Sequence, residues 1–520
     1  MPHPSRATRA FASSVSLCWL LATALVVVAC GGGSGTNTSP RGVVLVTIDT
    51  LRADRLGCYG SDQVSTPVLD RLAEKGVRFT QAIASSPQTL PSHTAILTGR
   101  YPHVHGVRSN GVFRLPNGAT TLAEVLAKKG FRNAAFVSAV VLDSRYGLDQ
   151  GFDLYDDVLE DPLVMSGKNR LEEEIRGMEA RGVDKAYFWH TAEKYGSYQR
   201  RAESVTDSAL EWLETNTDGS FFVWIHYFDP HGPYTPPEEF AKQYEGTVKG
   251  GGRGFSMNRM PHYQVIPGRR RYEEYVEAYH GEISYTDREL GRLLDGLESL
   301  GIDEHTTIVC TADHGESLDE HGYFFQHGDF LFDSELHVPL VIRPAASYAI
   351  APGKVDAQVS TIDLYPTILD MLGIDGPVGE GCRSLRPLLE GSGAAGTERA
   401  VYSEAYIAEV VKAGEVYRSL RKPERKLVTL GDINVARPNF WIFDLASDPG
   451  ENRMLRTDRM SAEQRSDAFD MLDELRGLAT IEPVPGADGK GNRVEMDDTT
   501  IRKLQALGYL DGDGGVGEKK

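Results

Sequence analysis

Cysteine is scarce in this chain: five residues in 520, with no CxxC pair and no dense spacing. That excludes a disulfide-built scaffold and a thiolate metal cluster. Cys310 sits inside the apolar run "TTIVC", where it reads as a buried strand residue. A bridge between Cys58 and Cys382 is the one pairing left to consider. Positive charge is also short. The 55 Lys and Arg face 74 Asp and Glu, a formal charge of −19. Such a balance argues against non-specific nucleic-acid binding. No internal repeat is present. Hydrophobic content of 41% and charged content of 25% are ordinary for a folded globular chain. Its length allows more than one domain.

Only the N-terminus carries a long uncharged run, from Phe11 to Ala29, behind Arg6 and Arg9. This reads as a secretory signal over residues 1–29. The small residues before Cys30 look like a bacterial lipobox, so Cys30 becomes a lipidated first residue. Removing the signal shifts the formal charge from −19 to about −21, since it holds two arginines and no acid. Residues 30–41, with "GGGSGTNTSP", form a flexible tether. The expectation is a lipoprotein of a bacterial cell envelope, on its periplasmic or outer-surface side.

Short β-branched runs recur along the mature chain: "GVVLVTI" (42–48), "NAAFVSAVV" (133–141), "FFVWIHYF" (221–228), "TTIVCTA" (306–312) and "VPLVIRP" (338–344). Helical patterns separate them, among them residues 66–76, 120–130, 203–216 and 272–301. Alternation of this kind predicts an α/β fold with a large, mainly parallel sheet flanked by helices. "KGGGRGF" (249–255) is a surface loop. The helix over 361–373 closes a catalytic domain spanning 42–374. Residues 375–520 then read as a smaller α+β subdomain on an antiparallel sheet, ending in a helix at "TTIRKLQALGYL". Residues 155–200, with "YFWH", look like an inserted specificity loop.

The stretch "SSPQTLPSHTAILTGRYPHVHGV" (85–107) places Pro91 just inside a helix start and Gly99 just past its end. Thr89 then precedes the helix N-terminus, where free N–H groups and the dipole favour an anion. It is either a cap or a nucleophile. Three strand ends deliver possible ligands: Asp49, the pair Asp229 and His231, and the pair Asp313 and His314. Ligands of open α/β sheets gather at the carboxyl ends of strands. Carboxylate and imidazole donors there suit zinc or manganese, with calcium as an alternative.

These motifs, in order, resemble the sulfatase family of the alkaline phosphatase superfamily. "VVLVTIDTLRADRLGCYG" resembles its opening strand and first metal segment, and "TLPSHTAILTGRYPHVHGV" its nucleophile signature. "DPHGPYTPP", "TADHGE", "HVPLVI" and "FDLASDPGE" follow in the family's order. The departure is at the nucleophile. Sulfatases place Cys or Ser there, converted to formylglycine, followed two residues beyond the proline by Arg. Here the register gives Thr89 and His93. This is similar to the nucleotide pyrophosphatase/phosphodiesterase branch, where an unmodified Thr attacks phosphorus. The resemblance implies that Asp49, Thr89, Asp313 and His314 hold one metal ion. It implies that Asp229 and His231 bind a second ion or the substrate's non-bridging oxygens. His93 bonds near the nucleophile, Asn110 stabilises equatorial charge, and His327 binds the second ion or acts as general acid.

Plainer readings apply elsewhere. His226 and His321 read as structural, Arg52 and Arg55 as solvated first-turn residues or clamps, and His103 and His105 as loop residues. The resulting expectation is a metal-dependent hydrolase or transferase of phosphoesters. Its substrate is an anionic ester, carried by an envelope glycan or a lipid headgroup. The alternatives are a sulfuric ester hydrolase working without formylglycine, and a non-catalytic envelope-binding lipoprotein. A Cys30→Ser variant should leave the membrane fraction for the soluble one; unchanged membrane association in fractionation would contradict the anchor.

Overall fold

Residues 42–48 have every side chain buried, as expected for a β-branched run between two sheet neighbours. The computed structural model describes residues 42–159, 200–266, 268–392, 399–406, 416–487, 492–496, 501 and 504. The expected signal and tether, most of residues 155–200 and most of the stretch expected to form a terminal helix lie outside them. No helix among the described residues is long and apolar enough to cross a membrane.

The large sheet has eight strands: β1 (Gly42–Ile48), β2 (Val77–Ile83), β3 (Arg132–Phe136), β4 (Leu154–Asp156), β5 (Phe221–Tyr227), β6 (Thr306–Ala312), β7 (His337–Arg343) and β8 (Gly353–Ser360). Their order is β4-β3-β5-β1-β6-β7-β2-β8, and only β7 runs against its neighbours. The main helices are α1 (Pro67–Lys75), α2 (Thr89–Thr98), α3 (Ala202–Asn216), α4 (Tyr272–Ser299) and α5 (Leu364–Leu372), with α6 (Ala462–Ala479) in the C-terminal part. The mainly parallel α/β sheet is therefore as the runs indicate. The strand read over 133–141 is shorter. It ends at Phe136, and Val140–Leu142 form a buried 3-10 turn instead.

A second sheet of five antiparallel strands follows: β9 (Val401–Ala405), β10 (Tyr417–Lys422), β11 (Arg425–Leu430), β12 (Asn439–Asp444) and β13 (Leu455–Arg456). Residues just past 375 remain tied to the first sheet's helices. Arg383 N–H donates to Asp363 at 2.9 Å and Leu385 N–H to Thr367 at 2.8 Å. A buried cluster joins the two sheets. Arg421 and Lys426 both pair with Asp333, and Lys426 also pairs with Glu451 at 2.7 Å. Burial pushes the Asp333 carboxyl up, but Arg421 and Lys426 outweigh it and hold it well below the usual carboxylate range. Cys58, Cys310 and Cys382 are free thiols, so the considered Cys58–Cys382 bridge is not formed.

Helix α2 belongs to both cores. All ten of its residues are buried. Leu90, Ile96 and Leu97 pack into the large-sheet core, while Ala95 packs with Tyr101, Tyr402 and Leu420 of the second. A helix buried on every side needs no amphipathic stripe. It also cannot drift, which matters for the residue at its first position.

Candidate active site

β1 sits between β5 and β6 in parallel register, with Ile48 level with Tyr227 on one side and Ala312 on the other. The next residue in two of these strands is an aspartate, Asp49 or Asp313. The register alone sets those two carboxylates side by side at the carboxyl edge. Asp49, Asp313 and His314 offer ligand atoms all within 4.8 Å of one another, and all three residues are buried. The chain turns sharply here: Thr50 has φ of 54°, a conformation costly for a β-branched residue. The Tyr279 hydroxyl holds the turn by donating to Thr50 C=O at 2.7 Å.

Helix α2 begins at Thr89 itself, two residues before Pro91, with Gln88 as the extended residue before it. Thr89 is thus inside the first turn and not before it. Its hydroxyl caps no backbone N–H; it lies 3.3 Å from His314 Nε2. The free N–H groups expected at this terminus are mostly spent. Leu90 N–H donates to Asn110 Oδ1 at 2.8 Å, Pro91 has none, and Ser92 N–H donates to Gln88 C=O. The dipole remains, but anion recognition falls to side chains. Asn110 is fixed by that bond and by its own N–H to Gln88 Oε1 at 3.0 Å.

Histidine protonation follows from the partners. His314 Nδ1 faces the Gly315 carbonyl at 2.9 Å, which only accepts, so Nδ1 carries the proton and Nε2 presents a lone pair. His93 Nδ1 faces the Thr89 carbonyl at 2.8 Å and is likewise protonated. His93 Nε2 then accepts from the Thr47 hydroxyl at 2.9 Å, and Thr47 accepts from Trp224 Nε1 at 3.0 Å. This chain, from strands β5 and β1 to the first turn of α2, fixes the Thr89 backbone.

Burial makes the set electrostatically incomplete. Asp49 Oδ1 and Oδ2 and Asp313 Oδ2 make no hydrogen bond among the described residues. Burial, then Asp313 and Glu316, push the Asp49 carboxyl well up, and burial pushes Asp313 up to about 7. Three of the neighbouring imidazoles, His93, His314 and His226, supply no compensating charge. Burial holds His93 down to about 3 and His314 and His226 well below the usual histidine range. Two sealed carboxylates beside neutral nitrogen donors match a divalent cation in number and type.

The remaining residues divide. His231 and His327 come to this edge: their rings are 5.0 Å apart, and His327 is 4.5 Å from His314. Asp229 does not join the Asp49–Asp313–His314 set. Its oxygens are taken by Arg201 at 2.7 Å and by Ala202 N–H at 2.9 Å, so it holds the start of α3. His226, read as structural, instead lies with Nε2 3.5 Å from Asp49 Oδ2. Ser138 N–H donates to its other nitrogen at 3.3 Å, leaving the proton facing Asp49. Glu316, not singled out from the sequence, accepts from Tyr234 at 2.9 Å and pairs with His327 Nδ1 at 3.1 Å. Its only sequence cue is its place two residues past His314. Arg52 is neither solvated nor a clamp; it is buried between Asp54 and Glu320. Arg55 reaches Gln63. His321 stacks on Phe332 at 3.6 Å. His103 and His105 lie in a short helix, Pro102–His105, and not in a loop.

The sulfatase family model matches residues 41–374, well over half of the chain. The chain belongs to the sulfatase family. The C-terminal model of N-sulphoglucosamine sulphohydrolase matches residues 319–477. An N-acetylglucosamine-6-O-sulfatase of Bacteroides thetaiotaomicron is 23% identical, over 89% of this chain and 91% of its own. Human iduronate 2-sulfatase is 25% identical, over 69% and 74%. In fold, the phosphonate monoester hydrolase of Agrobacterium radiobacter superposes with a TM-score of 0.66 at 20% identity, covering 88% of this chain and 100% of that one. Family membership places the chain among ester-cleaving enzymes that depend on a metal.

Asp313→Asn tests the cation site. The amide oxygen still accepts from His314 N–H, a bond of 2.8 Å in the native chain, but the buried charge is gone. Thermal melts in chelator should show the variant at least as stable as the native protein. Added zinc or manganese should raise the native midpoint and leave the variant's unmoved. A metal-induced rise of equal size in both would remove Asp313 from the site.

Proposed function

We propose that this sulfatase-family enzyme cleaves, or transfers from, an anionic phosphoester, with Thr89 as nucleophile. The observation that carries the reading is the Thr89 hydroxyl: it caps nothing and faces His314 Nε2 beside Asp49 and Asp313. When bound, a divalent cation at this cluster supplies Lewis acidity and lowers the pKa of an adjacent alcohol. Asp49, Asp313 and His314 would hold it. Thr89 Oγ1 attacks in line, and its carbonyl, held by His93, keeps the side chain from swinging away. Asn110 spends Oδ1 on Leu90, which leaves its amide N–H₂ to meet the equatorial oxygens. His327, with Nδ1 on Glu316, is the group placed to give a proton to the leaving oxygen. As part of the same reading, the lipobox-like run before Cys30 keeps the enzyme at a bacterial envelope.

Phosphorus is preferred over sulfur because of the residue type. A formylglycine hydrate releases sulfate by breaking its own C–O bond. A threonyl sulfate has no such exit, whereas a threonyl phosphate is open to water at phosphorus. The second reading, a sulfuric ester hydrolase, is supported by the relatives' names. Rates on matched aryl phosphodiesters, phosphomonoesters, phosphonates and sulfates decide between the two; a fastest rate on sulfate would overturn the preference. On the best substrate, Thr89→Ala should stay folded and lose roughly a thousandfold or more in kcat. Thr89→Ser should keep a measurable fraction. Near-native turnover by Thr89→Ala would end the nucleophile assignment.

A further inference from the structure

Two histidine–glycine steps meet at the carboxyl edge of the large sheet, His314-Gly315 and His327-Gly328, and the two imidazoles lie 4.5 Å apart. The chain between them folds back on itself: Ser317 and Gln326 exchange N–H to C=O bonds at 2.9 and 3.1 Å. One residue bonds both ends of this hairpin. Gly315 N–H donates to the Glu335 C=O at 2.7 Å, and Gly328 N–H donates to Glu335 Oε2 at 3.0 Å. Glu335 is itself firmly seated. It is fully buried in a short helix, Asp333–Leu336, whose first residue is the Asp333 that pairs with Arg421 and Lys426.

Gly328 is held from its other side as well. Gln88, next to Thr89 in sequence, donates through Nε2 to Gly328 C=O at 3.1 Å, and its Oε1 accepts from Asn110 N–H at 3.0 Å. Gly328 has φ of 101°, and a Cβ there would meet Gln88 Cγ at 3.3 Å. Both backbone polar groups of Gly328 are therefore gripped by side chains distant in sequence. Glu316 pairs with the His327 ring, and Glu335 fixes the peptide that leaves His327. Burial pushes the Glu335 carboxyl well up against the pull of the Gly328 N–H, and Asp329, Glu316 and Glu320 add to the rise. The neutral acid form is favoured, and its C=O oxygen accepts from Gly328 as an amide oxygen would. Glu335 Oε1 makes no hydrogen bond among the described residues, so the one bond this side chain makes with a known partner is the bond to Gly328.

We propose that Glu335 is a positioning residue for His327: by gripping the peptide that leaves His327, it sets how well the imidazole reaches a leaving oxygen, and so which leaving groups the enzyme expels. An ester of a weakly acidic alcohol needs that proton, whereas an ester of 4-nitrophenol does not. The inference rests on His327 being the leaving-group acid, and the test separates the two.

Glu335→Met keeps the volume and removes the acceptor; Glu335→Gln keeps both. Rates are measured on matched benzyl and 4-nitrophenyl esters of whichever oxyanion the enzyme cleaves fastest. Glu335→Met should lose roughly tenfold or more in kcat/KM on the benzyl ester and hold its rate on the 4-nitrophenyl ester. Glu335→Gln should stay near native on both, and His327→Asn should show the same selective loss, larger. Amide hydrogen exchange over residues 326–330 of the full chain should quicken in Glu335→Met and not in Glu335→Gln. A thermal melt checks folding, and Glu335→Ala takes the place of Glu335→Met should the latter be unfolded. Given a selective loss in His327→Asn, a folded Glu335→Met that slows both esters equally or neither, shows unchanged exchange, or is matched by Glu335→Gln would overturn the positioning role and leave the acid assignment standing. Equal loss on both esters in His327→Asn would overturn the acid assignment and this proposal with it.

Discussion

Two carboxylates, Asp49 and Asp313, are buried side by side, with no lysine or arginine paired to either among the described residues. Each charge sealed without a partner costs several kcal/mol. The chain bears that cost because β1 lies between β5 and β6 in parallel register, so Asp49 and Asp313 leave adjacent strand ends at one level. His314 and His226 beside them are neutral and offer a lone pair or an N–H group, not charge. The whole edge is therefore built for a cation. His226 Nε2 lies 3.5 Å from Asp49 Oδ2, and the Gly315 carbonyl turns His314 Nε2 inward.

The position of Thr89 follows from packing. Helix α2 is buried on all faces and serves both cores, so its first residue is set by the large sheet and the C-terminal sheet together. Local bonds finish the task. Ser92 donates to Asp313 C=O at 2.7 Å, and the Trp224–Thr47–His93 chain holds the Thr89 carbonyl. An arginine in place of His93 would bring permanent charge. This site instead uses a neutral ring to orient backbone.

Contiguous apolar runs revealed β1, β5, β6 and β7, because central strands are buried on both faces. β2 and β8 escaped, since their outer residues alternate or face solvent. β4 escaped as a three-residue edge. Asp49, Asp313 and His314 were legible as polar residues ending apolar strands. Asp229 carried the same signature, yet Arg201, distant in sequence, claims it; nothing local distinguishes a ligand from a helix-holding carboxylate. His226 and Glu316 were illegible for the converse reason. One lies inside a buried strand and one follows a motif, and only tertiary packing turns them toward Asp49 and His327. The spent N–H groups of α2 depend on Asn110, which lies outside the helix.

The proposed nucleophile must take up the group it attacks. A rapid quench during turnover of an aryl phosphodiester, followed by digestion and mass spectrometry of the peptide spanning Thr89, reads this directly. The account predicts phosphate on Thr89 at early times, decaying as substrate is exhausted. An unmodified Thr89 peptide throughout turnover, with phosphate found on another side chain or on none, would contradict it.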